Sequence, residues 1–130
     1  MKLLRPVTLV ALSLFFAPFL VTAKEAPVFH FYGAYDCPPC MAFKRDGLPI
    51  VEKEAKSHGY KVAVNLTKKT QDVPTVGIYG KSDALLREAA KQMGRAYPPI
   101  FFLTIGDNIH RVYGPNWQKA FAEIKKLSRP

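Results

Sequence analysis

The stretch Cys37-Pro38-Pro39-Cys40 constrains this chain more than any other, and its two cysteines are the only ones present. An apolar run, Val28-Phe29-His30-Phe31-Tyr32, leads through Gly33-Ala34-Tyr35-Asp36 into it, and a helix-like stretch opening Met41-Ala42-Phe43-Lys44 follows. Cysteines separated by two residues at a helix start can close a small disulfide ring. There the first thiol lies beside unpaired N–H groups and the positive end of the helix dipole, which favour a thiolate. The stretch therefore reads as a redox site. The same spacing also serves as half of a zinc site, so the rest of the chain must decide between them.

The N-terminus is set aside first. Lys2 and Arg5 form a charged region, Val7 to Leu20 is almost wholly apolar, and Val21-Thr22-Ala23 places small residues at a cleavage site. Residues 1–23 read as a signal peptide cleaved after Ala23, leaving a single domain over residues 24–130. The alternative is an uncleaved N-terminal membrane anchor, because Pro6 to Ala23 approaches the ~18 apolar residues that span a bilayer. Pro18, the small residues and the abrupt change at Lys24-Glu25 favour cleavage. Either way the domain is exported, to the periplasm or an equivalent compartment, where a cysteine pair meets oxidants.

A hydrophobic content of 48% over 130 residues suits one globular domain and argues against disorder. The formal charge of +9 is spread over single and paired residues such as Lys44-Arg45, Lys68-Lys69 and Lys125-Lys126. No recognition motif accompanies them, so nucleic-acid binding is not expected, whereas association with acidic membrane surfaces or partners stays open.

Pro27 to Tyr32 predicts a central strand buried on both faces. A helix follows from Pro38 towards Ser57, interrupted near Gly47-Leu48-Pro49, where proline removes a donor and crowds the preceding turn. Tyr60 to Leu66 predicts a second strand, parallel to the first because a helix connects them. Thr67 to Lys81 reads as a surface loop. Ser82 or Asp83 caps a helix from Ala84 to Met93 with an apolar face at Leu85, Leu86, Ala89, Ala90 and Met93, stopped by Gly94. A hairpin follows, Ile100 to Ile105 and Ile109 to Tyr113 around Gly106-Asp107-Asn108. Asn116 caps a last helix whose stripe is Trp117, Ala120, Phe121, Ile124 and Leu127. The chain is thus α/β, with the order β-α-β-α-β-β-α.

With the cysteine pair at the start of the helix after the first strand, this order resembles the thioredoxin family over nearly the whole mature chain. The resemblance implies a thioredoxin-like fold, a central mixed four-stranded sheet flanked by helices. It also implies a cis-proline before the third strand. Arg95-Ala96-Tyr97-Pro98, followed by an apolar strand, Gly106 and Gly114, matches the family spacing and makes Pro98 the first choice. Pro99 is the alternative, and Pro74 in Val73-Pro74-Thr75 follows the second strand too closely. Two positions depart from the family: Asp36 stands where thioredoxin has tryptophan, and Phe31 where a buried carboxylate usually takes part in proton transfer. The charge of Asp36 opposes the helix dipole in setting the acidity of Cys37.

The resemblance implies an exported thiol:disulfide oxidoreductase working through a mixed disulfide. Cys37, at the exposed helix start, exchanges with substrate; Cys40, a turn further in, resolves the intermediate, and the two form the Cys37–Cys40 disulfide. Pro38 and Pro39 stiffen the ring and donate no N–H. Tyr97 and Pro98 form the opposite wall of a substrate groove, and Tyr35 and Asp36 lie on its rim. Expected partners are exported protein thiols and disulfides and a redox partner protein, with the chain a monomer and no cofactor. A zinc site would need two further ligands from His30, His58 and His110, which fall on three separate elements, and Met41 stands where haem attachment requires histidine, so no metal is expected. The alternative is a copper-delivery or assembly module of the same fold without redox turnover, since soft Cu(I) suits thiolates.

Overall fold

The computed structural model describes residues 25–73, 84–93 and 97–128. The leader, Pro74, the Ser82 or Asp83 cap, Gly94 and Arg95-Ala96 lie outside the described residues. Aromatic and β-branched residues build β1 (Val28–Ala34), which runs past the apolar stretch to include Gly33 and Ala34. With β2 (Lys61–Thr67), β3 (Ile100–Ile105) and β4 (Asn108–Gly114) it forms a sheet in the order β2-β1-β3-β4. β1 is parallel to β2, with Phe31 beside Val64, and antiparallel to β3, with Phe31 opposite Phe101. This is the expected mixed four-stranded sheet with the first strand inside it.

Side chains alternate across β1, so Phe29 and Phe31 share one face while His30 and Tyr32 share the other. The first face carries Phe101 and Leu103 from β3, and all four are fully buried. On the second face the His30 ring stacks on Phe102 at 4.5 Å, and its Nε2 lies 2.7 Å from Thr104 Oγ1.

The chain leaves β1 into α1 (Pro38–Ala42), a wide π turn over Phe43–Gly47, and α2 (Leu48–His58). The break expected at residues 47–49 takes this form. Pro49 has no N–H to continue the ladder, and the Leu48 N–H reaches back five residues to the Phe43 carbonyl. Gly47 makes the turn possible for a steric reason: a Cβ there would lie 2.5 Å from the Phe43 ring and 3.0 Å from Trp117. α2 stops where Gly59 adopts φ 75° and its N–H bonds the Ala55 carbonyl. The buried Tyr60 hydroxyl donates to the Val51 carbonyl, and burial, with the nearby Glu54 charge, pushes its pKa up to about 12.

After β2, Thr70–Asp72 forms one 3-10 turn in the predicted loop. α3 (Ala84–Met93) contacts β4 and buries Leu86 and Ala89. The hairpin turn is shorter than expected, because Gly106 at φ 60° takes its first central position and Asn108 already belongs to β4. α4 (Trp117–Leu127) is capped as expected, with the Asn116 side chain accepting the Lys119 N–H at 3.1 Å. It lies against β1, β3 and β4 and buries Ala120 and Ile124. Among the described residues no helix is long and apolar enough to cross a membrane.

Gly47→Ala is expected to lower stability by about 1–3 kcal/mol through overpacking against Phe43 and Trp117. Urea unfolding of the two proteins measures it, and equal midpoints would show that these rings can give way.

Candidate functional site

Cys37 is the N-cap of α1, with φ −106° and ψ 106°, and Pro38 and Pro39 occupy the first two helical positions. These prolines lack the N–H groups that a helix start leaves unpaired in any case, so the first available donor is that of Cys40. The Cys40 N–H points at Cys37 Sγ, 3.3 Å away. A donor aimed at this sulfur favours its thiolate form whenever the pair is open. The two residues are joined as a disulfide, with their Cα atoms 5.2 Å apart.

The sulfurs differ in access. Cys40 is fully buried, whereas Cys37 retains 5% of its surface. The helix start is therefore more enclosed than expected, because the loop before β3 closes over it. The Pro98 carbonyl oxygen lies 3.6 Å from Cys37 Sγ. The cis peptide bond is Pro98–Pro99, so the cis residue is Pro99 and not the first-choice Pro98. β3 begins at Ile100, directly after Pro99, which moves the end of the turn one residue along. Pro98 is half-buried and presents its carbonyl to the site, while Tyr97 beside it is 66% exposed.

Tyr35 is 56% exposed, with Lys44 Nζ 5.8 Å from its ring centre. Asp36 is exposed but not free: its Oδ1 accepts from the Thr70 N–H at 2.7 Å and the Thr70 hydroxyl at 2.8 Å. Sequence reading assigned Asp36 to the substrate rim and missed Thr70 altogether, since nothing local relates residues 34 positions apart. At Gly33 an added Cβ would lie 2.9 Å from the Phe31 ring and 3.1 Å from Cys40 Cβ. Phe31 and Cys40 thus close on the same point of β1.

A groove of about 430 Å³ starts at Pro39. Ala42 and Phe43 continue one wall; Pro99, Pro115 and Trp117 make the other; Asp46 and Gln118 add polar groups. Trp117, expected as core, both packs on Phe43 at 5.4 Å and lines this groove. Arg45 bonds Asp46 through two contacts of 2.9 Å, and that hydrogen bonding holds the Asp46 carboxyl below the usual carboxylate range.

The three histidines are engaged elsewhere. His30 meets Thr104, His58 Nδ1 lies 3.2 Å from Glu54 Oε2, and His110 Nε2 lies 3.5 Å from Glu123 Oε1. Among the described residues no group of three or more His, Cys, Asp or Glu side chains converges to hold a metal ion.

By sequence, no protein-family model and no curated protein matches the chain. Its structure is similar to that of thioredoxin f2 of Chlamydomonas reinhardtii, with a TM-score of 0.50 and 19% identity over 88% of this chain and 91% of that one. It is also similar to the short form of spinach chloroplast thioredoxin f (0.48, 19%, 86% and 85%) and to Fasciola hepatica thioredoxin (0.48, 19%, 79% and 82%). The fold is thioredoxin-like, an α/β sheet flanked by helices with a cysteine pair at the start of the first helix.

After reduction, iodoacetamide at neutral pH is expected to modify Cys37 and spare Cys40, as peptide mass mapping would show. Equal labelling of both would mean that the inner sulfur is not shielded in the dithiol.

Proposed function

We propose that the chain is an exported thiol:disulfide oxidoreductase that exchanges disulfides with other exported proteins through Cys37 and Cys40. The observation that carries this reading is the pairing of an N–H-supported sulfur that keeps a little surface with a fully buried one inside a thioredoxin-like fold. In the oxidising direction a substrate thiolate attacks Cys37 Sγ. The substrate–Cys37 bond forms as the Cys37–Cys40 bond breaks, and Cys40 leaves as a thiolate that takes up a proton. A second substrate thiolate then attacks the substrate sulfur and expels Cys37 as a thiolate. The substrate loses two electrons and the pair gains them. The reverse sequence reduces a substrate disulfide, with Cys40 resolving the mixed intermediate.

Supporting roles follow from this reading. The Pro98 carbonyl lies beside Cys37 and Tyr97 and Tyr35 are exposed, so in this reading an extended substrate lies along Pro98 with the two tyrosines for it to touch. The groove from Pro39 to Trp117 receives a side chain of that substrate. Turnover needs a redox partner protein to restore the starting state of the pair. The copper-delivery alternative has less support, because His110 is turned to Glu123 on α4.

The purified domain should equilibrate with glutathione, and Cys37→Ser should abolish exchange while Cys40→Ser accumulates the mixed disulfide. A potential near about −120 mV would make it an oxidant and one near about −270 mV a reductant. Exchange no faster than that of a model disulfide would refute the enzymatic reading. For the exported setting, expression in a bacterium with an intact secretion pathway should yield a periplasmic product beginning at Lys24; an uncleaved cytoplasmic chain would overturn it.

A further inference from the structure

We propose that Thr70 is a positioning residue of the redox site, which holds and partly neutralises the Asp36 carboxylate and so keeps the neighbouring Cys37 thiol acidic. The proposal rests on the redox reading of Cys37. A carboxylate next in sequence to a nucleophilic thiol is a liability, because its charge disfavours the thiolate. Here two donors of one residue converge on a single Asp36 oxygen, the Thr70 N–H at 2.7 Å and its hydroxyl at 2.8 Å. Their dipoles point at the carboxylate and offset its field, and together they set its direction.

The donor segment is itself held in place. The Tyr35 N–H bonds the Thr67 carbonyl at 2.9 Å, and the Thr67 hydroxyl donates to the Lys69 carbonyl at 2.9 Å. Beyond Thr70, the Asp72 and Val73 N–H groups close the 3-10 turn onto Lys69 and Thr70. The end of β2 and this turn therefore run alongside residues 33–36 as a rigid rail, with Thr70 opposite Asp36.

The other charged and titratable groups around the site leave this task to Thr70. Lys44 lies over the Tyr35 ring, Arg45 and Asp46 neutralise each other, and Tyr97 is an exposed phenol beyond Pro98. Lys68 and Lys69 are exposed on the same segment, with Asp72 two residues after Thr70. Among the described residues no cation forms an ion pair with Asp36.

The test follows alkylation of the reduced full-length chain by iodoacetamide across pH, a reaction in which the Cys37 sulfur forms the new S–C bond and iodide leaves. Because only the thiolate reacts, the profile gives the Cys37 pKa. Thr70→Val should raise that pKa by about 0.5 and slow alkylation roughly threefold below it. Thr70→Ser should restore the native profile, and Asp36→Asn should lower the pKa. In the Asp36→Asn background Thr70→Val should have no effect, since there is no charge left to hold. The proposal is overturned by an unmoved pKa in Thr70→Val, by no rescue with serine, or by a Thr70→Val shift that persists undiminished beside Asp36→Asn. Should Thr70→Val not fold, Thr70→Ala takes its place in the same cycle. The profile does not depend on exchange: a chain inert towards glutathione that still showed it would refute the oxidoreductase reading and leave the Thr70 assignment standing.

Discussion

The packing of Phe43 against the sheet is the contact on which the rest depends. Its ring meets Phe31 edge-on at 4.7 Å and Phe101 edge-on at 4.6 Å, with Phe29 behind them at 6.2 Å. Phe43 is the first residue of the π turn, so this contact clamps the junction of α1 and α2 onto the two inner strands. Each ring buried in this way contributes about 1.5–3 kcal/mol, and edge-to-face geometry adds about 0.5–1.5. The clamp also sets the depth of Cys40, which lies one helical turn before Phe43 and is pressed against β1 at Gly33.

From that depth follows the division of labour between two chemically identical sulfurs. Cys37 stands at a cap, receives an N–H and keeps a little surface; Cys40 is fully enclosed, with the Phe31 ring nearby. A buried thiol in apolar surroundings holds its proton more tightly than a capped one. The acidic group of the site is displaced outward, to Asp36 on the rim, where hydrogen bonds from Thr70 hold it. Charge is thus handled at the surface of this site and apolar packing beneath it.

Much of the architecture was legible because its signals are local. β-prone runs bounded by glycine and proline marked the strands, and Asn116 marked a helix start through a side-chain preference that needs no distant partner. Cys37 and Cys40 were legible for the same reason. What escaped were relations between distant residues. The Asp36–Thr70 bonds, the groove between Pro39 and Trp117, and the enclosure of Cys37 by Pro98 all join elements far apart in sequence. The cis bond was misplaced by one residue because Pro98 and Pro99 present the same local signal, and only the start of β3 separates them.

The wide turn at Phe43–Gly47 sets the rotational phase of everything after it. Counted at about 100° per residue from Cys40, an uninterrupted helix would place Leu48 and Ile50 about 80° to either side of the cysteine's direction. The observed pattern is instead one-sided, with Leu48 buried and Ile50 48% exposed. A turn holding nearly one residue more than an α turn retards the phase by most of one residue's step, which brings Leu48 to the cysteine's side and carries Ile50 away from it. The segment thus acts as a gear between two helices. Shortening it by one residue would do more than trim the chain: it would turn α2 about its own axis and direct a different set of side chains at the sheet.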